Sequence, residues 1–316
     1  MSTAGSTRAP ELPSTTFLAL VEEFFDKQGK PVSFYMRKKR NTQDDPFDEH
    51  VIKVLGERLG EDKGLLVVPS TGKLISPDAV VARPEEYDLL LKGGADFDTR
   101  AICGIEVKKL ELEKRTGSKG KKSSRRAGMD YNSTPPCATV RVYSASGTPL
   151  RIPCYYVFSL LVETDKEDHW ETQALVMVAG SVLNSDEDLY DEITGIRSKA
   201  IGLGSYGDGA NRERPMLVFA NPLGWDWVIG SATIISDRDD LESEHPLTRV
   251  RDITRTTVNG VESRFYCYRL SDLNPPVEDT VDDPFPTPKR RSTQTSQRGK
   301  FVVKLGEIKT SQMPLG

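Results

Sequence analysis

Cysteine is scarce in this chain. Cys103, Cys137, Cys154 and Cys267 are scattered through 316 residues with no C-x-x-C pair. That spacing argues against a zinc module and against a disulfide scaffold. Cys103 and Cys154 sit in apolar runs and read as small buried hydrophobes. Histidine is scarcer: His50, His169 and His245 stand far apart, without metal-ligand spacing. No Walker, G-x-S-x-G or H-E-x-x-H pattern occurs. No apolar run reaches the ~18 residues that span a bilayer. Residues 1–14 are small and polar and lack the hydrophobic stretch of a signal peptide. The expectation is a soluble, cytoplasmic protein with no membrane partner. Neither sign of charge predominates, with 43 Lys and Arg against 47 Asp and Glu and a net charge of −4. Affinity for nucleic acid must therefore come from local basic patches.

One glycine pattern invites a different chemistry and does not hold. Gly202-Leu203-Gly204-Ser205-Tyr206-Gly207 is formally G-x-G-x-x-G. A dinucleotide site needs a strand before it and a helix after it. Residues 192–200 are polar and irregular, and Gly207 to Pro215 cannot run comfortably as a helix. No nucleotide cofactor is expected.

Two helices are legible near the start. Phe17, Leu20, Val21, Phe24 and Phe25 follow helical spacing, with Thr15 or Thr16 as the cap. A second helix opens at Asp45-Pro46 and buries Phe47, Val51, Val54, Leu55 and Leu59. Strands are expected over 65–68 and 74–82, around a Pro69-Ser70-Thr71-Gly72 turn. Residues 83–100 read as a surface excursion. Further on, 155–162 and 172–182 are long apolar runs, read as interior strands or a strand and a short helix. Residues 249–257 and 261–270 flank Asn259-Gly260, a strong hairpin signal. The division expected is a disordered tail over 1–14, one domain over 15–274, and a linker and tail over 275–316, rich in Pro and Asp.

The central stretch is Ala101-Ile102-Cys103-Gly104-Ile105-Glu106-Val107-Lys108, a buried strand by composition. Alternation puts Cys103, Ile105 and Val107 on one face and Glu106 and Lys108 on the other, roughly 7 Å apart. A buried carboxylate and ammonium are costly unless they are paired or bind something. Upstream stands Pro77-Asp78; Asp78 and Glu106 enclose 27 residues, 79 to 105. Two acids and a lysine on neighbouring strands would make a site for a hard cation.

Pro77-Asp78 followed by Glu106-Val107-Lys108 resembles the motif of the PD-(D/E)XK nucleases. That resemblance implies an α/β (α+β) fold: a central mixed β-sheet flanked by helices, a restriction-endonuclease-like core with extra β hairpins. It implies Mg²⁺ held by Asp78, Glu106 and the Val107 carbonyl, and Lys108 activating or orienting the attacking water. It also implies an acid on the preceding helix, for which Glu49 is the best positional match. The length and the absence of helicase or methyltransferase motifs are similar to those of a type II restriction endonuclease, which cuts double-stranded DNA as a homodimer.

Nine Lys or Arg residues between Lys108 and Arg126, against Glu111 and Glu113, read as a mobile basic loop. Lys121, Lys122, Arg125 and Arg126 in it are candidates for phosphate contacts. Asn132, Arg141, Arg212 and Arg214 are candidates for DNA contact by side-chain type. Two alternatives stay open: a repair or modification-dependent nuclease with the same core, and a non-catalytic nucleic-acid-binding protein in which Glu106 and Lys108 are structural. Glu307-Ile308-Lys309 repeats the Glu-x-Lys pattern but lacks a buried strand and a preceding Pro-Asp.

Overall fold

The structure is a computed structural model, and it describes residues 11–41, 44–71, 77–96, 98–116, 122–126, 138–183, 232–256 and 262–271. It is a mixed α/β protein with a large central sheet flanked by a few helices. The chain runs α1 (Leu12–Phe24), β1 (Ser33–Tyr35), α2 (Pro46–Leu55), β2 (Leu66–Pro69), β3 (Ala79–Ala82), α3 (Pro84–Leu91), β4 (Ile102–Thr116), β5 (Lys122–Arg126) and β6 (Thr139–Tyr143). It continues through β7 (Pro149–Glu163), β8 (His169–Ala179), α4 (Gly180–Leu183), β9 (Ala232–Ser236), α5 (Leu241–Glu244), β10 (Leu247–Thr256) and β11 (Glu262–Leu270).

The sheet order is β10-β11-β9-β8-β7-β4-β3-β2, with β1 on β8, β5 on β4 and β6 on β7. β4 runs parallel to β7, and β8 parallel to β9; the other pairs are antiparallel. β7 is central, and every residue from Cys154 to Leu161 is buried. A strand covered on both faces reads as a continuous apolar run, which is why Tyr155–Leu161 shows no alternation. The two runs expected at 155–162 and 172–182 are β7 and β8, an antiparallel pair ending in the short α4. β10 and β11 form the hairpin that Asn259-Gly260 signals.

α1 packs on β8, β4 and β9, and α2 packs on α1, β4 and β2. Phe24 meets Phe34 edge-on at 5.2 Å and Phe47 at 5.8 Å, which locks the two helices together. Each such fully buried ring contributes roughly 1.5–3 kcal/mol. Cys103, Cys154 and Cys267 are buried and form no disulfide among the described residues.

Five expectations need correction. α1 begins at Leu12, not beside Thr15, so 11–14 belong to the packed body rather than to a tail. Pro13 lies in the first turn, and the Thr15 and Thr16 hydroxyls bond back to the carbonyls of Glu11 and Leu12 instead of capping. Residues 83–100 hold a helix, α3, with Pro84 in its first turn and the left-handed Gly93 just past its end. The expected basic loop after Lys108 is instead strand: β4 runs on to Thr116, and β5 returns antiparallel from Lys122. Pairing with β7 carries β4 through Leu112, opposite Val162, so the ladder holds this charged segment extended. Finally, Asp78 leads into a strand rather than ending one; residues 72–76 lie outside the described residues, as do 1–10 and 275–316.

Candidate active site

The sheet brings the Pro-Asp and Glu-x-Lys motifs together through register. β3 pairs with β4 so that Ala79 faces Ile105. One step further along this antiparallel ladder, Asp78 comes opposite Glu106. The Val107 N–H donates to Asp78 Oδ2 at 2.7 Å. In an extended strand a residue's N–H and C=O leave by the same edge, so the Val107 carbonyl also faces the Asp78 side. Lys108 bends back to Glu106, with Nζ donating to Oε1 at 2.5 Å. Glu106 is only 8 % exposed.

Gly104 makes this corner possible. A Cβ there would stand 2.8 Å from Val140 Cγ1 and 3.1 Å from Pro77. The glycine lets the β6–β7 hairpin and the Pro77 turn close over the strand that carries Glu106.

The electrostatics are those of crowded acids. Burial, with the Glu106 carboxylate next in weight, pushes the Asp78 carboxyl up from 3.8 to about 7. Burial would lower Lys108, but Glu106, Asp78 and Asp48 outweigh it and hold the ammonium well above the ordinary lysine range.

A residue that sequence reasoning passed over completes the cluster. Asp48 is pushed up to about 8, first by burial and then by Asp45 and Asp78. Its position follows from how α2 is anchored. Asp45 caps the helix, accepting from the Phe47 N–H at 3.2 Å, and also pairs with Lys109 Nζ at 2.7 Å. Lys109 reaches Glu111 at 3.2 Å as well. The first turn of α2 is thus tied to β4 one residue past Lys108. Glu49, the expected helix acid, points outward: its side chain is 59 % exposed and pairs with Arg37 at 2.6 Å and Arg40 at 3.7 Å. The signal was present in the spacing. Asp48 shares a stripe with buried Val51 and Leu55, whereas Glu49 aligns with exposed Lys53.

Among the described residues, no three His, Cys, Asp or Glu side chains gather tightly enough to hold a metal ion alone. Lys122, Arg125 and Arg126 lie on β5, which pairs with the outer half of β4. Arg141 is exposed on β6. Lys121, Asn132, Arg212, Arg214 and the Gly202–Gly207 segment lie outside the described residues.

No protein-family model matches this chain, and no curated protein matches it. Among solved structures, it is similar to the restriction endonuclease BglI bound to its DNA recognition sequence, with a TM-score of 0.22 and 12% identity. The match covers 60% of this chain and 71% of that one.

Proposed function

We propose that this protein is a Mg²⁺-dependent nuclease of the PD-(D/E)XK kind, cutting double-stranded DNA at a specific sequence in the manner of a type II restriction endonuclease. The observation that carries the reading is the convergence of Asp78, Glu106 and Lys108 at one half-buried corner of the sheet.

The donor set suits the ion. Mg²⁺ takes one or two carboxylates, keeps several waters and prefers oxygen throughout. Asp78 and Glu106 would hold it with the Val107 carbonyl. Burial first, and repulsion from the facing Glu106 carboxylate next, raise the Asp78 carboxyl, and a bound cation would offset both. When bound, the metal supplies a Lewis acid for a phosphate oxygen and lowers the pKa of a water.

The chain's own residues do the rest. The Val107 N–H fixes the rotamer of Asp78. Lys108, as an ammonium, orients the attacking water by hydrogen bonding and stabilises the charge that builds on phosphorus. Asp48 would add a carboxyl oxygen at the α2 end of the site. The corner must supply a rate gain of ~10¹⁵-fold or more for an unactivated phosphodiester. A palindromic target would call for a two-fold homodimer.

The closed Glu106–Lys108 ion pair favours a second reading, a nucleic-acid-binding protein in which these two residues are structural. Incubating unmethylated and methylated plasmid with protein and Mg²⁺, beside an EDTA control, separates the readings. Discrete fragments from unmethylated DNA support the proposal. Cutting of methylated DNA alone indicates a modification-dependent enzyme. Plasmid that is bound but never cut supports the second reading.

A further inference from the structure

β4 is paired by β7 along one edge, from Gly104 to Leu112. Its other edge is shared by two strands. β3 pairs with it as far as Ile105, and β5 joins it from Leu112. Among the described residues, no strand pairs with that edge over 106–111. Glu106, Val107 and Lys108 lie in this gap, and the first turn of α2 stands beside it. The β3 ladder delivers Asp78 to the gap by register, but no ladder reaches α2. The body of the helix is held by Phe47, Val51, Val54 and Leu55. Apolar packing is non-directional, so it leaves the height of the first turn over β4 loosely set.

Lys109 supplies the directed link. Its side chain is only 9 % exposed, and Nζ lies 2.7 Å from Asp45 Oδ1 and 3.2 Å from Glu111. A buried ammonium is costly unless it is paired. Burial works against the charged form, and Asp45 and Glu111 together outweigh it. Glu111 belongs to the lysine's own strand, so that pair ties nothing together. The Asp45 pair runs from sheet to helix. The same Oδ1 accepts from the Phe47 N–H at 3.2 Å, while Oδ2 faces Lys39 of the preceding loop at 3.6 Å. One oxygen thus fixes both where the helix starts and how far it stands from β4. Residues three apart are neighbours on a helix, so Asp48 moves with Asp45. Asp48 lies within reach of the charges of Asp45, Asp78, Lys108 and Lys109.

We infer that Lys109 is a positioning residue for the metal site: its ion pair with Asp45 sets how closely Asp48 approaches Asp78 and Glu106. The inference rests on the reading of this corner as a Mg²⁺ site. Lys109 holds neither the ion nor DNA, and it acts through Asp48. Partners that orient metal ligands from behind typically control metal affinity by 10–100-fold.

The test follows Mg²⁺ binding to the full chain without DNA, taking the affinity from the dependence of Tm on Mg²⁺ concentration. Lys109→Met keeps the apolar stem and removes the charge; it should weaken Mg²⁺ binding about tenfold. Lys109→Arg should restore most of that loss. Asp45→Asn retains a capping oxygen, since Asn caps as well as Asp, but gives up the ion pair. It should match Lys109→Met, and it carries the test if Lys109→Met does not fold. Asp48→Asn should weaken Mg²⁺ binding by itself, and adding Lys109→Met should weaken it no further, because residues that act as a unit are not additive. A Lys109→Met protein with a lower Tm but wild-type Mg²⁺ affinity overturns the inference and leaves the metal reading standing. Full additivity with Asp48→Asn overturns it as well. A wild type whose Tm ignores Mg²⁺ overturns the metal reading itself, and the inference with it.

Discussion

Replacing Asp78 with Asn should remove cleavage and at the same time make the metal-free protein more stable at neutral and alkaline pH. The native carboxyl is raised from 3.8 to about 7, a shift of roughly three units. At 1.36 kcal/mol per unit this is about 4 kcal/mol as an upper bound. Asp78 is not fully shielded, and asparagine gives up the charge on the bond to Val107 N–H and the attraction of Lys108. About half, ~2 kcal/mol, is a fair expectation after that discount. The sign follows from linkage. Below pH ~4 both folded and unfolded wild type hold the proton, so the substitution gains nothing by this route. Between pH ~4 and ~7 the unfolded chain releases the proton while the native state keeps it, and wild-type stability falls relative to the variant. Above ~7 the gap is complete. For a chain of this size, ~2 kcal/mol corresponds to a rise in Tm of roughly 3 °C. The assay is thermal unfolding of both proteins near pH 4 and near pH 8 in EDTA, then repeated with Mg²⁺. Mg²⁺ should raise the Tm of wild type and leave the variant unmoved, since a ligand that binds only the native state stabilises by mass action. A variant less stable than wild type near pH 8, or a gain equal at both pH values, would refute the crowded-acid argument.

Asp48→Asn should impair cleavage at least tenfold and stabilise the metal-free protein near pH 9, whereas Glu49→Gln should change cleavage little; plasmid assays with the two variants side by side decide between these acids. Gly104→Ala places a methyl against Val140 and Pro77 and should cost roughly 1–3 kcal/mol by urea unfolding, with cleavage reduced even at temperatures where the variant is folded. Lys109→Met should loosen the tie between Asp45 and β4 and lower Tm, while Lys108→Met should abolish cleavage with duplex binding retained in EDTA. Glu244 sits at about 2: burial works against it, but Arg238 and Arg100 outweigh burial. Its share of stability is present above pH ~4.5 and is lost as pH falls toward 2, so Glu244→Gln should flatten the acid limb of the stability curve.

The legible parts of this fold are those whose signal is local. α2 announces itself through Asp45, Pro46 and the stripe of Phe47, Val51, Val54 and Leu55. The β10–β11 hairpin follows from Asn259-Gly260. α3 was just as legible, with Pro84, Glu85 and Glu86 at its start and Gly93 past its end, but its charge read as a surface excursion. The outer half of β4 was hidden in the same way, since nine basic residues overshadow the alternation of Leu110 and Leu112 with Glu111 and Glu113. Counting charge reports what solvent sees, and a ladder to a neighbouring strand can still hold such a segment extended.

By itself, the sequence determined the residue types of the site and the strand that bears Glu106 and Lys108, because alternation along a strand is a property of nearest neighbours. The tertiary structure alone decided that Asp78 stands across from Glu106, that Asp48 and not Glu49 faces them, and that Arg141 is matched with Arg151. Each of these depends on register or burial between segments distant in the chain. Moving a strand register by one residue would turn Asp78 or Arg141 to the opposite face.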